Sequence, residues 1–172
     1  MHKFKPTMYR KNIFEIDYKK LKELGITCLI FDLDNTLGLI SEKECPRKTK
    51  KLIKELQEDF LVLISSNNTS DRLKPYLEDL GIGGVAWSMK PSTRGLRKIR
   101  KDYKLKKKEM VMIGDQMVTD IFAGNRFRIM TILVDPLGEK DLKITGLNRK
   151  IESAIIKHYV KRNVFERGKY YE

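Results

Sequence analysis

The sequence predicts an α/β fold: a doubly wound three-layer sandwich around a five-stranded parallel sheet, with no inserted cap domain. Three observations carry that expectation. Short apolar runs alternate with segments of helical periodicity along the chain. The run Ile26-Thr27-Cys28-Leu29-Ile30-Phe31 is almost continuously apolar, as a strand covered on both faces must be. Two carboxylates, Asp32 and Asp34, follow it at a spacing that turns both to one side of an extended chain.

Taken in order, the predicted strands are 28–31, 61–64, 85–87, 110–113 and 131–134. Between the first two, residues 47–59 place Leu52, Ile53 and Leu56 on one helical face. Leu73, Tyr76, Leu77 and Leu80 mark a second helix stopped by Gly81. Pro75 then has to lie in its first turn, or the helix has to begin after Asp71. Pro91 suits the first position of a third helix. Val118, Ile121 and Phe122 mark a fourth, and 147–160, with Ile151, Ala154 and Ile155, a closing one. Parallel strands joined by helices require right-handed crossovers. The chain reads as a single domain over 1–172, with an N-terminal arm at 1–25 and a loose tail at 163–172.

With 172 residues, 41% hydrophobic and 34% charged, the chain can bury a core of ordinary size. No apolar run is long enough to span a bilayer, and the N-terminal residues lack a signal-peptide stretch, so a cytoplasmic location is expected. Cys28 and Cys45 offer no disulfide framework. His2 and His158 lie far apart in sequence and read as surface residues. The net charge of +13 is large. Its densest part, 94–108, reads as a helix with a solvated basic face, and nucleic-acid binding is the weaker reading.

Polar residues gather just past the predicted strand ends. They are Asp32, Asp34 and Thr36; then Ser65, Ser66, Asn67 and Asn68; then Lys90; then Gly114, Asp115 and Asp120. In an open parallel sheet such ends line one crevice. Singly, each has a structural reading. Asp34-Asn35-Thr36 could cap a helix, Ser66-Asn67-Asn68 and Gly114-Asp115 could be turns, and Lys90 and Asp120 could be solvated surface groups. Together they supply what phosphoryl transfer needs: a carboxylate nucleophile, a second carboxylate for protons, a hydroxyl and an ammonium for phosphate oxygens, and acids for a divalent cation.

These motifs resemble those of the haloacid dehalogenase (HAD) superfamily of aspartate-nucleophile phosphatases. The segments Phe-Asp-Leu-Asp-Asn-Thr-Leu, Ser-Asn-Asn, Lys-Pro and Gly-Asp-Gln-Met-Val-Thr-Asp-Ile are similar to the YqeG branch of its subclass IIIA. That branch is itself similar to mitochondrial phosphatidylglycerophosphate phosphatases. The resemblance implies that Asp32 attacks phosphorus and that Asp34 exchanges protons with the leaving oxygen and with water. Ser66 (Ser65 being the alternative) and Asn67 would bind phosphate, and Lys90 would offset its charge. Asp32, Asp115 and the Asp34 backbone carbonyl would hold Mg²⁺, with Thr36, Gly114 and Asp120 in support.

Neither 38–59 nor 67–89 has room for a cap, so the site should be open. Exclusion of water then falls to a bulky substrate, a partner or a second subunit. That favours a macromolecular or membrane-borne phosphate. A lipid phosphate at an anionic membrane would suit the basic surface, and the N-terminal stretch 3–11 could help docking. The competing readings are a phosphatase for a phosphorylated nucleic-acid end, sugar or protein, and a phospho-acceptor signalling module. The order of motifs argues against the last, because here the lysine precedes Asp115.

Overall fold

The computed structural model describes residues 3–138 and 143–172, and the side chains of 143–149 are outside that description, as is His2. Six strands form one parallel sheet: β1 Met8–Arg10, β2 Cys28–Phe31, β3 Leu61–Ser65, β4 Gly83–Val85, β5 Met110–Gly114 and β6 Met130–Val134. Their spatial order is β1-β6-β5-β2-β3-β4. The helices are α1 Tyr18–Glu23, α2 Arg47–Leu56, α3 Ser70–Leu80, α4 Arg94–Asp102, α5 Phe122–Phe127 and α6 Lys143–Lys161. The expected doubly wound fold is present, with one strand more than expected.

The extra strand comes from the N-terminal arm. Met8, Tyr9 and Arg10 pair with Ile132, Leu133 and Val134 at the edge of the sheet. Three residues are too short a run to show a period, so the pattern gave no sign of it.

Strand alternation divides the core in two. Leu29, Phe31, Val62, Ile64, Val111 and Ile113 pack with Ile53 of α2 and with Leu73 and Tyr76 of α3. Cys28, Ile30, Leu63 and Met112 pack on the other side with Leu96 and Ile99 of α4 and with Ala123 and Phe127 of α5. Both faces of the central strands are therefore covered, which is why those strands read as unbroken apolar runs. The connections after β2 and β3 hold no inserted domain among the described residues.

Several boundaries differ from expectation. β4 lies two residues earlier than 85–87, because Gly83 and Gly84 carry the pairing to Leu63 and Ile64. A Cβ on Gly84 would stand 2.9 Å from the Ile64 carbonyl oxygen, so the strand needs glycine there to approach β3. α3 starts at Ser70, where the Thr69 side chain accepts the Arg72 N–H, and Pro75 lies inside it rather than in its first turn. Only the Asp71 carbonyl loses its helical donor through Pro75, a loss one turn from the helix start can absorb. Pro91 is not helical. It follows a cis peptide bond at Lys90, and a turn closed by the Ser92 N–H on the Met89 carbonyl (2.7 Å) occupies this stretch, so α4 begins at Arg94. The fourth helix opens with a π-helical turn, Met117–Ile121, before α5.

The closing helix exists, but of the residues expected to mark its inward face Ile155 packs on the core while Ile151 and Ala154 do not. Ile151 is 43% exposed, whereas Glu152 and Tyr159 are buried. The tail expected to be loose is packed: Phe165 is buried, and Tyr171 exchanges backbone hydrogen bonds with Tyr9 (2.9 and 3.1 Å). Arg10 and Lys20 form ion pairs with Glu172. No helix among the described residues is long and apolar enough to cross a membrane.

Candidate functional site

The chain runs from β2 outward through β3 to β4, then returns to place β5 on the other side of β2. This reversal opens a crevice at the carboxyl ends of β2 and β5. Asp32 enters it directly after β2, its N–H donating to the Ile113 carbonyl at 2.8 Å, and Asp115 enters it directly after β5. Asp120 comes from the π-helical turn. Its Oδ2 accepts the Gln116 N–H at 3.2 Å, and a Cβ on Gly114 would stand 2.4 Å from its Cγ. Glycine at 114 thus lets Asp120 reach the crevice.

Lys90 arrives from the loop after β4 and is buried. Its ammonium donates to Asp32 Oδ1 (2.6 Å), Asp120 Oδ1 (2.6 Å) and the Ser65 carbonyl (2.7 Å). These three acceptors use all three ammonium hydrogens. Burial alone would lower the lysine pKa; the charges of Asp120 and Asp32 outweigh it and hold the ammonium above its ordinary value.

Asp32, Asp115 and Asp120 bring carboxylate oxygens within 4.8 Å of one another. Burial raises the pKa of Asp32 and Asp115, and the neighbouring carboxylates raise both further, while Lys90 offsets part of this. Fully ionised, three carboxylates against one ammonium would leave two negative charges without a partner, and the raised pKa values reflect that repulsion. Asp115 Oδ1 is buried with no hydrogen-bond donor among the described residues. A buried cluster of carboxylate oxygens with one orphaned oxygen, whose ionised form is disfavoured until a positive charge joins it, fits a hard divalent cation. The structure adds the Asp120 side chain to the carboxylates expected there.

Asp34 sends its side chain elsewhere. Its Oδ1 accepts from Arg72 Nη2 (2.8 Å) and Nε (3.3 Å), and its Oδ2 accepts from Asn68 Nδ2 (2.5 Å). Arg72 also donates to the carbonyls of Leu39 (3.2 Å) and Glu42, tying α3 to the loop after β2. Thr36 is buried in that loop.

The two serines separate. Ser65 is the last residue of β3, and a Cβ on Gly95 of α4 would stand 3.4 Å from its Oγ, so Ser65 lies under that helix. Ser66 stands in the loop, its Oγ accepting the Asn68 N–H at 3.1 Å. Its hydroxyl proton is not needed for that contact. Asn67 is exposed, and most of the hydrogen-bonding capacity of its side chain is spent within the protein. Its Oδ1 accepts the Lys90 N–H (2.7 Å) and the Ser88 hydroxyl (3.0 Å), and its Nδ2 donates to the Lys90 carbonyl (2.9 Å). The side chain clamps the loop that carries Lys90.

Sequence reasoning missed Arg72, Glu152 and Arg167. Arg167 bonds Glu152 and Asp135 (2.9 Å) and reaches the Asp115 carbonyl at 3.4 Å. Glu152 also accepts the Met117 N–H at 3.1 Å. Nothing in their spacing marks these residues, because each meets its partners across a long stretch of chain.

Comparison with known proteins gives the chain a family. Residues 29–89 match a family described as haloacid dehalogenase-like hydrolase, and residues 88–141 match a HAD-hydrolase-like family. The chain is 40% identical over 157 residues to a probable phosphatase, YqeG, of Bacillus subtilis (strain 168), covering 89% of this chain and 90% of that protein. It is 24% identical over 170 residues to the chloroplastic/mitochondrial phosphatidylglycerophosphate phosphatase 1 of Arabidopsis thaliana, covering 92% of this chain but only 49% of that one. The chain thus spans about half the length of the plant relative. Among solved structures, the cobalt-bound deoxy-D-mannose-octulosonate 8-phosphate phosphatase of Haemophilus influenzae shares the fold, with a TM-score of 0.51, 19% identity and coverage of 86% of this chain and 97% of that one. With its acidic pair closing β2, its buried lysine and its acids after β5, the chain belongs to the HAD superfamily of phosphatases, alongside YqeG.

Proposed function

We propose that the protein is a Mg²⁺-dependent phosphomonoesterase working through an aspartyl-phosphate, with a lipid-borne phosphate, phosphatidylglycerophosphate first, as its substrate, reached from the cytoplasm. The observation that carries the reading is the Lys90 ammonium bridging Asp32 and Asp120 beside Asp115 at the point where the sheet reverses. The lipid choice is supported by the activity in the plant relative's name and by the net charge of +13.

An Asp32 carboxylate oxygen forms a bond to phosphorus while the ester P–O bond breaks, and Asp34 gives its proton to the leaving oxygen. Water then attacks the aspartyl-phosphate, passing a proton to Asp34, and inorganic phosphate leaves as the Asp32 carboxylate is restored. Ser66 donates its hydroxyl to a phosphoryl oxygen. Lys90, clamped by Asn67, keeps Asp32 oriented and offsets phosphate charge. Asp32, Asp115 and Asp120, with the Asp34 carbonyl, would hold Mg²⁺, which supplies screening of the repulsion between carboxylate and phosphate. Asp34 can meet the leaving group only if its contact with Arg72 opens or is shared.

Phosphate release is to be measured on a panel of phosphatidylglycerophosphate, sugar phosphates, a phosphopeptide and a 5′-phosphorylated oligonucleotide, with and without Mg²⁺, for the wild type and Asp32→Asn. Release that needs Mg²⁺, is highest on the lipid and vanishes in Asp32→Asn is the expected outcome. Wild-type turnover in the variant would remove Asp32 as nucleophile, and preference for another panel member would replace the substrate.

A further inference from the structure

The loop between β4 and α4 holds two large apolar side chains out into solvent next to Lys90. Trp87 is 61% exposed and Met89 57%. The residues alternating with them face inward and are pinned. The Ser88 N–H donates to the Ser66 carbonyl (2.9 Å) and its hydroxyl to Asn67 (3.0 Å), while the Lys90 N–H donates to Asn67 (2.7 Å). With 88 and 90 fixed inward, 87 and 89 have no way in. Trp87 and Met89 also sit at φ of +50° and +56°, the left-handed region that residues with bulky side chains avoid. A loop that exposes its only tryptophan and a methionine in this way presents them to something outside the chain.

The surroundings of the loop are cationic. Arg94 and Arg126 are exposed; an Arg94 Nη1 lies 3.9 Å from the Met89 sulfur, and Arg126 Nη1 donates to the Pro91 carbonyl at 3.2 Å. Arg97, Lys98, Arg100 and Lys101 continue the exposed basic face along α4. An exposed indole and thioether on a loop that two guanidinium groups contact match an anionic bilayer surface, where the rings and chains enter the headgroup layer and the cations meet lipid phosphates. The N-terminal stretch does not offer the same combination. Met8 and Tyr9 are buried in the sheet, Phe4 packs on Phe122 with ring centroids 4.6 Å apart, and Arg10 is paired with Glu172.

We propose that residues 87–94, with Arg126, form a docking tip for an anionic lipid bilayer, so that a phosphate carried on a lipid reaches Lys90 and Asp32 at the membrane surface. The tip names how the site meets its substrate, and it rests on the reading above only for the consequence that docking serves catalysis.

Trp87 is the sole tryptophan, so the emission of the unmodified full chain reports this loop alone. Vesicles of phosphatidylcholine with phosphatidylglycerol should shift that emission to the blue at low salt, and brominated acyl chains should quench it; phosphatidylcholine alone should do neither. Arg94→Glu combined with Arg126→Glu should weaken vesicle binding by roughly tenfold or more, with an unchanged melting temperature, while Lys3→Glu with Lys5→Glu should leave binding within about twofold of wild type. Emission that ignores anionic vesicles overturns the proposal. So does a shift produced by single-stranded RNA and not by vesicles. Phosphate release from phosphatidylglycerophosphate dispersed in neutral detergent, measured on the same preparation, separates the two readings: a blue shift without release leaves docking standing and removes the phosphatase reading, and release without a shift removes docking alone.

Discussion

Arg72 donates twice to Asp34 Oδ1, from Nη2 at 2.8 Å and from Nε at 3.3 Å. The first turn of α3 thereby decides where the proposed acid and base rests. The same guanidinium holds the carbonyls of Leu39 and Glu42, so one side chain fixes both the carboxylate and the loop beyond it.

Arg72→Ala should therefore lower kcat about tenfold on substrates with poor leaving groups, a fraction of the ~10²–10⁴ that general acid–base catalysis contributes. Substrates whose leaving group needs no proton should be affected far less. A series of aryl and alkyl phosphates checks this; an equal loss across the series would assign Arg72 to phosphate binding instead. Arg72→Lys should recover little, because an ammonium cannot reproduce the several directed contacts of the guanidinium.

Lys90 is the sole cation in direct contact with Asp32 and Asp120 among the described residues. Lys90→Ala leaves buried carboxylates without their partner, and about 3–5 kcal/mol of stability should go with it. Adding Mg²⁺ should raise the melting temperature of the wild type, and of Lys90→Ala by more, since the variant has more uncompensated charge. Asp115→Asn should abolish the shift in both. Calorimetry with Mg²⁺ and with EDTA measures all four cases, and a Mg²⁺ response that survives Asp115→Asn would place the cation elsewhere.

Arg167 carries a second, structural network: it bonds Glu152, Asp135 and the Asp115 carbonyl and lies over the ring of Tyr9, 5.8 Å from its centroid. Burial raises the pKa of Glu152, and Arg167 pulls part of that back. Arg167→Ala should cost about 2–3 kcal/mol in urea denaturation, the lower end for a buried pair because the arginine keeps some contact with water. Arg167→Ala with Glu152→Gln should cost less than Arg167→Ala alone, since the orphaned charge is then gone. A larger loss in the double variant would show that the glutamate is needed for its bond to the Met117 N–H and not for its charge.

Cys28 lies within β2 and Cys45 is a buried residue of the loop before α2, and burial pushes both thiols up to about 12. Neither should react with iodoacetamide at pH 8 in the folded protein, and both should after unfolding. The sign for stability follows. The folded thiol keeps its proton where the unfolded one, near 9, has begun to lose it, so the contribution is complete below about pH 9 and fades as pH rises toward 12. A pH series of urea midpoints should fall across that window, and Cys28→Ala should flatten part of the fall.

The central strands were legible because both faces of β2, β3 and β5 are covered, which forces runs such as Leu29-Ile30-Phe31 to be apolar without interruption. Edge elements were not. β1 needs no more than three residues, and β4 relies on Gly83 and Gly84, which carry no hydrophobic signal. The inward face of α6 was partly misread because a buried glutamate takes the place where periodicity demands an apolar residue, and Arg167 makes that burial tolerable.

Residue order alone determined the parallel α/β architecture and the identity of the polar groups at the strand ends, since strand periodicity and motif chemistry are local properties of the chain. Only the tertiary structure decided how those groups are shared out. It gave Lys90 to Asp32 and Asp120 together, turned Asp34 toward Arg72, used Asn67 as a clamp, and left Trp87 and Met89 outside. The reason is physical. Each of those pairings joins residues separated by 20 or more positions, and it forms because parallel strands bring their carboxyl ends to one place where charge and hydrogen bonds must be satisfied out of water.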